Sequence, residues 1–277
     1  NSLFIKSLFN SKLEFLINFL FLCRPMNGCL NKFLQELEPI SLKEMDKVAL
    51  MNRTDTKFIF SIPTLVDTLS KLKQHYFALE INGQRTAKYK TLYFDTEQKD
   101  LFLQHQNGKK NRYKIRIRKY IDSNLCYLEV KLKTNKSRTI KKRTKIVDFE
   151  TELSQVSKDF IRDKSSLEPN TLVPSLWNDF TRLTLVSKTS QERLTIDINL
   201  SFESDSKKEL NHIVIAEVKR EGNSPSEFMK IIKDKHIRPR SMSKYCVGSV
   251  FLHKKIKYNK FKRQILAINK LSHELTT

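Results

Sequence analysis

Residues 112–133 read R-Y-K-I-R-I-R-K-Y, then I-D-S-N, then L-C-Y-L-E-V-K-L-K. Successive strand side chains point to opposite faces, so Arg112, Lys114, Arg116 and Arg118 share one side while Tyr113, Ile115 and Ile117 share the other. Asp122, Ser123 and Asn124 are turn residues. The second run repeats the device, with Glu129, Lys131 and Lys133 on one face and Leu128, Val130 and Leu132 on the other. Like charges set side by side on a sheet repel, and little stability comes from concentrating them unless an anion sits among them. The stretch reads as a β-hairpin with a polyanion-binding face.

The same spacing recurs outward from this hairpin. Arg53, Asp55 and Lys57 alternate with Thr54, Thr56 and Phe58, and residues 87–95 and 100–105 read as further strands. In residues 138–147, Thr139, Lys141, Arg143 and Lys145 share a face. Arg193, Thr195 and Asp197 do so in residues 192–200, as do Glu217 and Lys219 in residues 212–220. Helical spacing marks other segments. Two short helices are expected between Asn31 and Met51, divided at Pro39, with Ser41 as an N-cap. Ser61 and Pro63 open a helix whose apolar stripe is Leu65, Val66, Leu69, Leu72 and Tyr76. Residues 153–164, 174–183 (with Trp177) and 224–237 also read as helices, and residues 243–275 as a helical end, very basic from Lys254 to Arg263. The expected class is α+β: an antiparallel β tunnel, or barrel, with helices packed outside.

With 277 residues, 39% of them hydrophobic, the chain can bury a sizeable core. Its 52 Lys and Arg against 30 Asp and Glu give a net charge of +22, which favours nucleic acid, phosphate-rich ligands or an anionic membrane surface as partner. Cys23, Cys29, Cys126 and Cys246 are scattered and form no C-x-x-C pair, so neither a zinc site nor a disulfide framework is implied, and a reducing cytoplasm fits. Residues 1–25 are apolar but interrupted by Lys12, Glu14 and Asn18, too broken for the roughly 20 apolar residues of a membrane span. They are expected to precede a start at Met26, leaving residues 26–277 as one domain with a basic C-terminal helix.

If the strands close, Arg53, Lys57, Arg112, Lys114, Arg116, Arg118, Lys131, Lys133, Lys141, Arg143, Arg193 and Lys219 converge on one interior. Asp55, Glu129, Asp197 and Glu217 are interleaved on the same faces and would offset the repulsion. Carboxylates with clustered Arg and Lys also suit Mg²⁺ or Mn²⁺ bound beside phosphates, the equipment of phosphoryl transfer. The plainer reading of any one strand is a solvated charged face; six strands with the same bias argue against it. His105 beside a glycine-containing loop could act in catalysis, although a lone histidine is more often structural. No G-x-x-x-x-G-K-[ST] or G-x-G-x-x-G occurs, which disfavours P-loop and kinase readings. No zinc-finger or RNP motif supports specific nucleic-acid binding.

In order along the chain stand R-T-D-T-K-F from Arg53, Y-K-T-L-Y-F-D-T from Tyr89, H-Q-N-G-K-K-N-R-Y-K-I-R-I-R from His105 and Y-L-E-V-K from Tyr127. T-I-K-K-R from Thr139, R-L-T-I-D from Arg193, A-E-V-K from Ala216 and S-K-Y-C-V-G from Ser243 follow. Together they resemble the VTC-type polyphosphate polymerase domain, a branch of the CYTH or triphosphate tunnel superfamily. That resemblance implies an antiparallel β tunnel binding triphosphate or polyphosphate with a divalent metal, Mn²⁺ or Mg²⁺, and a transferase moving the γ-phosphate of ATP onto inorganic polyphosphate. It implies Lys57, Arg116, Arg118, Lys131, Lys141, Arg193 and Lys219 as catalytic phosphate ligands and Glu217 as metal ligand. Lys244 would approach the phosphate from the far wall, and Arg53, Lys114, Lys133 and Arg143 would assist substrate binding. The superfamily's E-x-E-x-K is replaced by R-T-D-T-K, as in the polymerase branch. A triphosphate hydrolase on the same fold and a non-catalytic polyphosphate or nucleic-acid binding module are the alternatives. Membrane association has no support beyond the basic helix.

Overall fold

The computed structural model describes residues 30, 33–47, 53–136, 138–222, 224–253 and 255–273. The N-terminal extension, Met26, Cys23, Cys29 and Lys254 lie outside them. The strands are β1 (Pro39–Ile40), β2 (Arg53–Ser61), β3 (Tyr76–Leu79), β4 (Thr86–Asp95), β5 (Arg112–Tyr120) and β6 (Leu125–Lys133). They continue with β7 (Thr139–Ile146), β8 (Val173–Ser187), β9 (Glu192–Glu203), β10 (Lys207–Leu210) and β11 (Ile213–Glu221). The helices are α1 (Leu42–Lys47), α2 (Ile62–Leu72), α3 (Asp100–Gln106), α4 (Gln155–Lys164), α5 (Glu227–Asp234), α6 (Lys244–Leu252) and α7 (Lys262–His273).

All eleven strands belong to one sheet, ordered β2-β11-β9-β8-β4-β5-β6-β7, with β10 beside β9 and β3 between β8 and β1. Pairing is antiparallel except between β1 and β3. The class is α+β as expected, but hydrogen bonds do not close the sheet: β2 and β7 stand at its two ends. The expected β5–β6 hairpin forms, with Arg116 opposite Glu129 and Lys114 opposite Lys131. Its turn ends on Asn124 at φ 52°, a left-handed conformation that asparagine tolerates.

The sheet curls. Laid flat, β11 and β6 would lie about 24 Å apart across five strand spacings. Instead Lys57 on β2 and Glu217 on β11 are close enough to Lys131 on β6 to move its ionisation. The start of α6 bridges the interior directly: Lys114 Nζ on β5 donates to Ser243 Oγ at 2.9 Å, and the neighbouring Lys244 binds Asp197 on β9.

Apolar residues on the outer face are covered by helices. Phe58, Phe60, Leu183, Leu194, Ile196 and Val218 pack with Leu65, Leu69 and Leu72 of α2 and Phe228 and Ile232 of α5. Leu92, Phe94, Ile115, Ile117, Leu128 and Val130 pack with Ile161 of α4. At one end the inner face itself turns apolar, through Tyr93, Leu176 and Ile215, and α6 and α7 seal it with Tyr245, Cys246, Val247, Ile265 and Ile268. Serines at the N-caps fix several helix starts. Ser154, Ser226 and Ser243 accept backbone N–H bonds, and Ser41 with Glu44 forms a reciprocal capping box.

Four features differ from the sequence expectation. Residues 100–105 form α3 rather than a strand, because Asp95 accepts the N–H groups of Leu101 and Phe102 and Thr96 Oγ1 accepts that of Asp100. Residues 174–183 lie in the 15-residue strand β8 rather than a helix. Tyr76 belongs to β3, not to the stripe of α2. The basic C-terminal segment is not one helix but α6, a short 3₁₀ turn at Asn259–Phe261, and α7.

Candidate functional site

The register places Lys57, Glu217, Thr195, Arg182, Thr91, Arg118, Arg116, Glu129, Lys131 and Lys141 on the inner face. Three carboxylates organise the cations there. Glu129, 1% exposed, accepts Arg116 Nε at 2.6 Å and pairs with Lys141 across β6–β7. Asp197, 3% exposed, receives Arg182 through two parallel bonds, Nε to Oδ1 at 2.6 Å and Nη2 to Oδ2 at 2.8 Å, and also Lys244. Glu217 lies between Lys57 Nζ at 2.5 Å and Lys219 Nζ at 3.2 Å.

Burial pushes all three carboxyls upward, but their cations outweigh it. Glu129 falls to about 2 under Arg116, Arg118 and Lys141. Arg182 and Lys244 hold Asp197, and Lys219 and Lys57 hold Glu217, well below the usual carboxylate range. The cations are in excess, and burial, followed by neighbouring charges, lowers several of them. Lys114, Lys219 and Lys244 are all shifted down, burial being the largest cause. Solvent reaches Lys131, yet the enclosing walls and then Lys114, Arg116 and Lys57 bring it to about 8. An interior held this way stabilises an entering anion strongly.

The remaining expected residues sit around this centre. Arg193 faces the same way as Lys219 but lies at the rim, its Nη2 donating to the Met45 carbonyl at 3.3 Å. Arg53 is also at the rim, half exposed and paired with Asp55 at 3.0 Å. Arg143 is exposed above the Tyr127 ring, and Lys133 lies opposite Arg112 at the other end of the hairpin. His105 is buried, and its Nδ1 accepts from Arg112 Nε at 3.1 Å. Burial and the cations Lys114 and Arg112 take it to about 2, so it is a neutral acceptor and not an acid–base group near neutrality.

Arg182 is absent from the sequence-based set, although it binds both oxygens of the buried Asp197 carboxylate. Its strand reads as a helix in the sequence, which hides the alternation of Thr181, Leu183 and Leu185 against Arg182, Thr184 and Val186. That alternation was the available signal.

Among the described residues no group of three His, Cys, Asp or Glu could hold a metal ion. Glu217 is one carboxylate of the kind Mg²⁺ and Mn²⁺ accept alongside phosphate oxygens, so the residues fit an ion shared with a bound phosphate chain rather than one held by protein alone. Among the described residues Cys126 and Cys246 are free and buried, and no helix is long and apolar enough to cross a membrane.

The model of the VTC domain family matches residues 52–253. The chain belongs to the VTC domain family. No curated protein matches it in sequence. Among solved structures the VTC chain is similar to a candidate adenylate cyclase of Bacillus halodurans, with 17% identity, TM-score 0.45, and coverage of 70% of this chain and 96% of that one. It is also similar to a candidate adenylyl cyclase of Hippeastrum with a dominant triphosphatase activity, at 17% identity, TM-score 0.43, and coverage of 75% and 98%. An S. pombe RNA triphosphatase bound to the Spt5 CTD aligns at 12% identity and TM-score 0.27, covering 76% and 85%. At such distance these likenesses add nothing to the chemistry. Family membership and the cationic interior together support an enzyme of triphosphate or polyphosphate chemistry.

Proposed function

We propose that this VTC domain is a metal-dependent polyphosphate polymerase that transfers the γ-phosphate of ATP to a growing inorganic polyphosphate chain. The observation that carries the reading is the unbalanced interior: Glu129, Asp197 and Glu217 leave Lys57, Lys114, Arg116, Arg118, Lys131, Lys141, Arg182, Lys219 and Lys244 in excess around one curved face. A chain of phosphates supplies negative charge at repeated short spacing, which a row of strand-borne cations matches.

The reaction needs no protein nucleophile. The terminal oxygen of the acceptor chain attacks the γ-phosphorus in line, the bond to the β–γ bridging oxygen breaks, and ADP leaves with the acceptor one phosphate longer. Arg116, Arg118, Lys131, Lys141 and Lys219 hold the transferred group and spread its charge, while Lys57 and Arg193 steer the chain along the wall and Lys244 meets it from the opposite side. Arg53, Lys133 and Arg143 attract substrate from the periphery, and Lys114 does so from within the interior. Glu217 would hold a divalent ion, Mn²⁺ or Mg²⁺, which when bound neutralises phosphate oxygens and polarises the γ-phosphorus. To free Glu217 for that role, phosphate would replace it as partner of Lys57 and Lys219.

The test is incubation with ATP and Mn²⁺ followed by gel separation of phosphate chains. Long chains support the polymerase. Orthophosphate alone would replace it with a hydrolase, and tripolyphosphate binding without turnover would make the domain a binding module. Glu217→Gln should retain binding and lose turnover.

A further inference from the structure

A row of rings leads out of the cationic interior. Phe180 stacks on Tyr89, centroids 4.9 Å apart and planes within 6°. Tyr89 meets Tyr120 at 4.9 Å, Tyr120 meets Tyr127 edge-on at 6.1 Å, and the Arg143 guanidinium lies 4.7 Å from the Tyr127 centroid. The inner rings are already used, because Arg118 and Arg182 both lie over Tyr89 and Phe180 at 5.2–5.8 Å. Of the outer rings Tyr127 carries a guanidinium, that of Arg143, which is itself open to solvent. Tyr120 and Tyr127 are half-buried and belong to none of the three apolar clusters, and Arg143 is exposed.

We infer that Tyr120, Tyr127 and Arg143 form a platform for the base of a nucleoside triphosphate whose phosphates enter among Arg118, Arg116 and Lys141. This rests on the phosphate-binding function proposed above and adds what it leaves open, the recognition of the nucleoside end. Planar bases stack on aromatic rings and on guanidinium planes, and Tyr127 with Arg143 above it offers one of each. Direction follows from the register. Tyr127 is opposite Arg118, and two residues further along β6, roughly 6.6 Å deeper, Glu129 positions Arg116 and Lys141. A base on Tyr127 therefore points its 5′-phosphates inward. Inorganic polyphosphate has no group for this platform, so the rings would separate the nucleotide donor from the phosphate-chain acceptor. Stacking does not read base edges, so ATP and GTP should bind alike.

Calorimetry with ATP, methyl triphosphate and inorganic tripolyphosphate tests the platform. On the wild-type protein ATP should bind about tenfold more tightly than methyl triphosphate, the size of one base–ring stack. Tyr127→Leu should remove that advantage and leave tripolyphosphate within twofold of wild type, whereas Tyr127→Phe should keep it. Equal affinity for ATP and methyl triphosphate on wild type, or equal losses of ATP and tripolyphosphate in Tyr127→Leu, would overturn the platform while leaving the phosphate site standing. Failure of the wild-type protein to bind any of the three overturns the phosphate reading and this inference with it.

Discussion

Glu129 is the interior group whose removal separates charge balance from packing most cleanly. Glu129→Gln keeps the volume of the side chain and one acceptor oxygen but turns the other acceptor into a donor NH2, and it leaves Arg116 and Lys141 facing each other, beside Arg118, without a counter-charge. Its carboxyl is lowered from 4.5 to about 2 despite burial. A depressed carboxylate contributes stability that is present above the unfolded value and is lost as pH falls through the folded one. The shift corresponds to about 3 kcal/mol near neutrality, within the range for breaking a buried pair. For a chain of this size that is a melting temperature lower by roughly 6–12 °C. An anion in the interior restores the missing charge, so saturating tripolyphosphate should shrink the gap between variant and wild type to a few degrees. Thermal scanning of both proteins with and without tripolyphosphate at fixed ionic strength reads this directly. A gap that tripolyphosphate leaves unchanged, or no gap in the ligand-free proteins, would refute the counter-charge role. Between pH 4.5 and 2 the wild type should also lose a component of stability that the variant lacks.

Lys131, held at about 8, should make tripolyphosphate affinity fall between pH 7 and 9, as its charge is lost; Lys131→Met should flatten that slope. The unfolded chain binds the Lys131 proton more tightly than the folded one, so ligand-free stability should rise over the same interval and up to about pH 10.5, and denaturant titrations across pH check the sign. Gly248→Ala should destabilise by about 1–3 kcal/mol, since a Cβ there would stand 2.5 Å from Phe202 Cδ1 in a sealed cluster; urea unfolding measures it, and an unchanged midpoint would show that the ring can yield. His105→Asn retains an acceptor for Arg112 and should leave the pH profile of turnover between 5 and 8 unaltered; a displaced profile would restore His105 as a titrating group.

Much of the curved face was legible because its strands carry apolar residues on one side and charges on the other. Arg116, Glu129, Lys131 and Lys141 could be placed together by parity alone, and the structure sets them across β5, β6 and β7 in that register. β8 was not legible because it is covered on both sides. Leu176, Phe180 and Leu183 are all buried, and their spacing imitates a helix, while the irregularity between Asp179 and Thr181 interrupts the alternation. Arg182 was lost with it. The seven residues of α3 are too few to display a helical period, and what decides them is the Asp95 carboxylate accepting two of their N–H groups, a contact between segments rather than a local propensity. The charges on β2 were equally readable, but not that Arg53 would pair with Asp55 at the rim, because the sheet's curvature determines how deep each pair sits.

The unclosed sheet has a consequence for behaviour in concentrated solution. Along its outer side β7 offers a row of backbone N–H and C=O groups to no neighbouring strand within the sheet, the kind of edge onto which a strand from a second molecule can add. Ile140 and Val147 beside it are exposed apolar side chains. Yet the strand reads T-I-K-K-R-T-K-I, with Lys142 on the face opposite Lys141, Arg143 and Lys145. Two such edges brought together face like charges on both sides of any shared ladder, whichever way they run. The cations of the inner row thus also oppose edge-to-edge pairing of two copies, and that opposition would be weakest with a long polyanion neutralising the row.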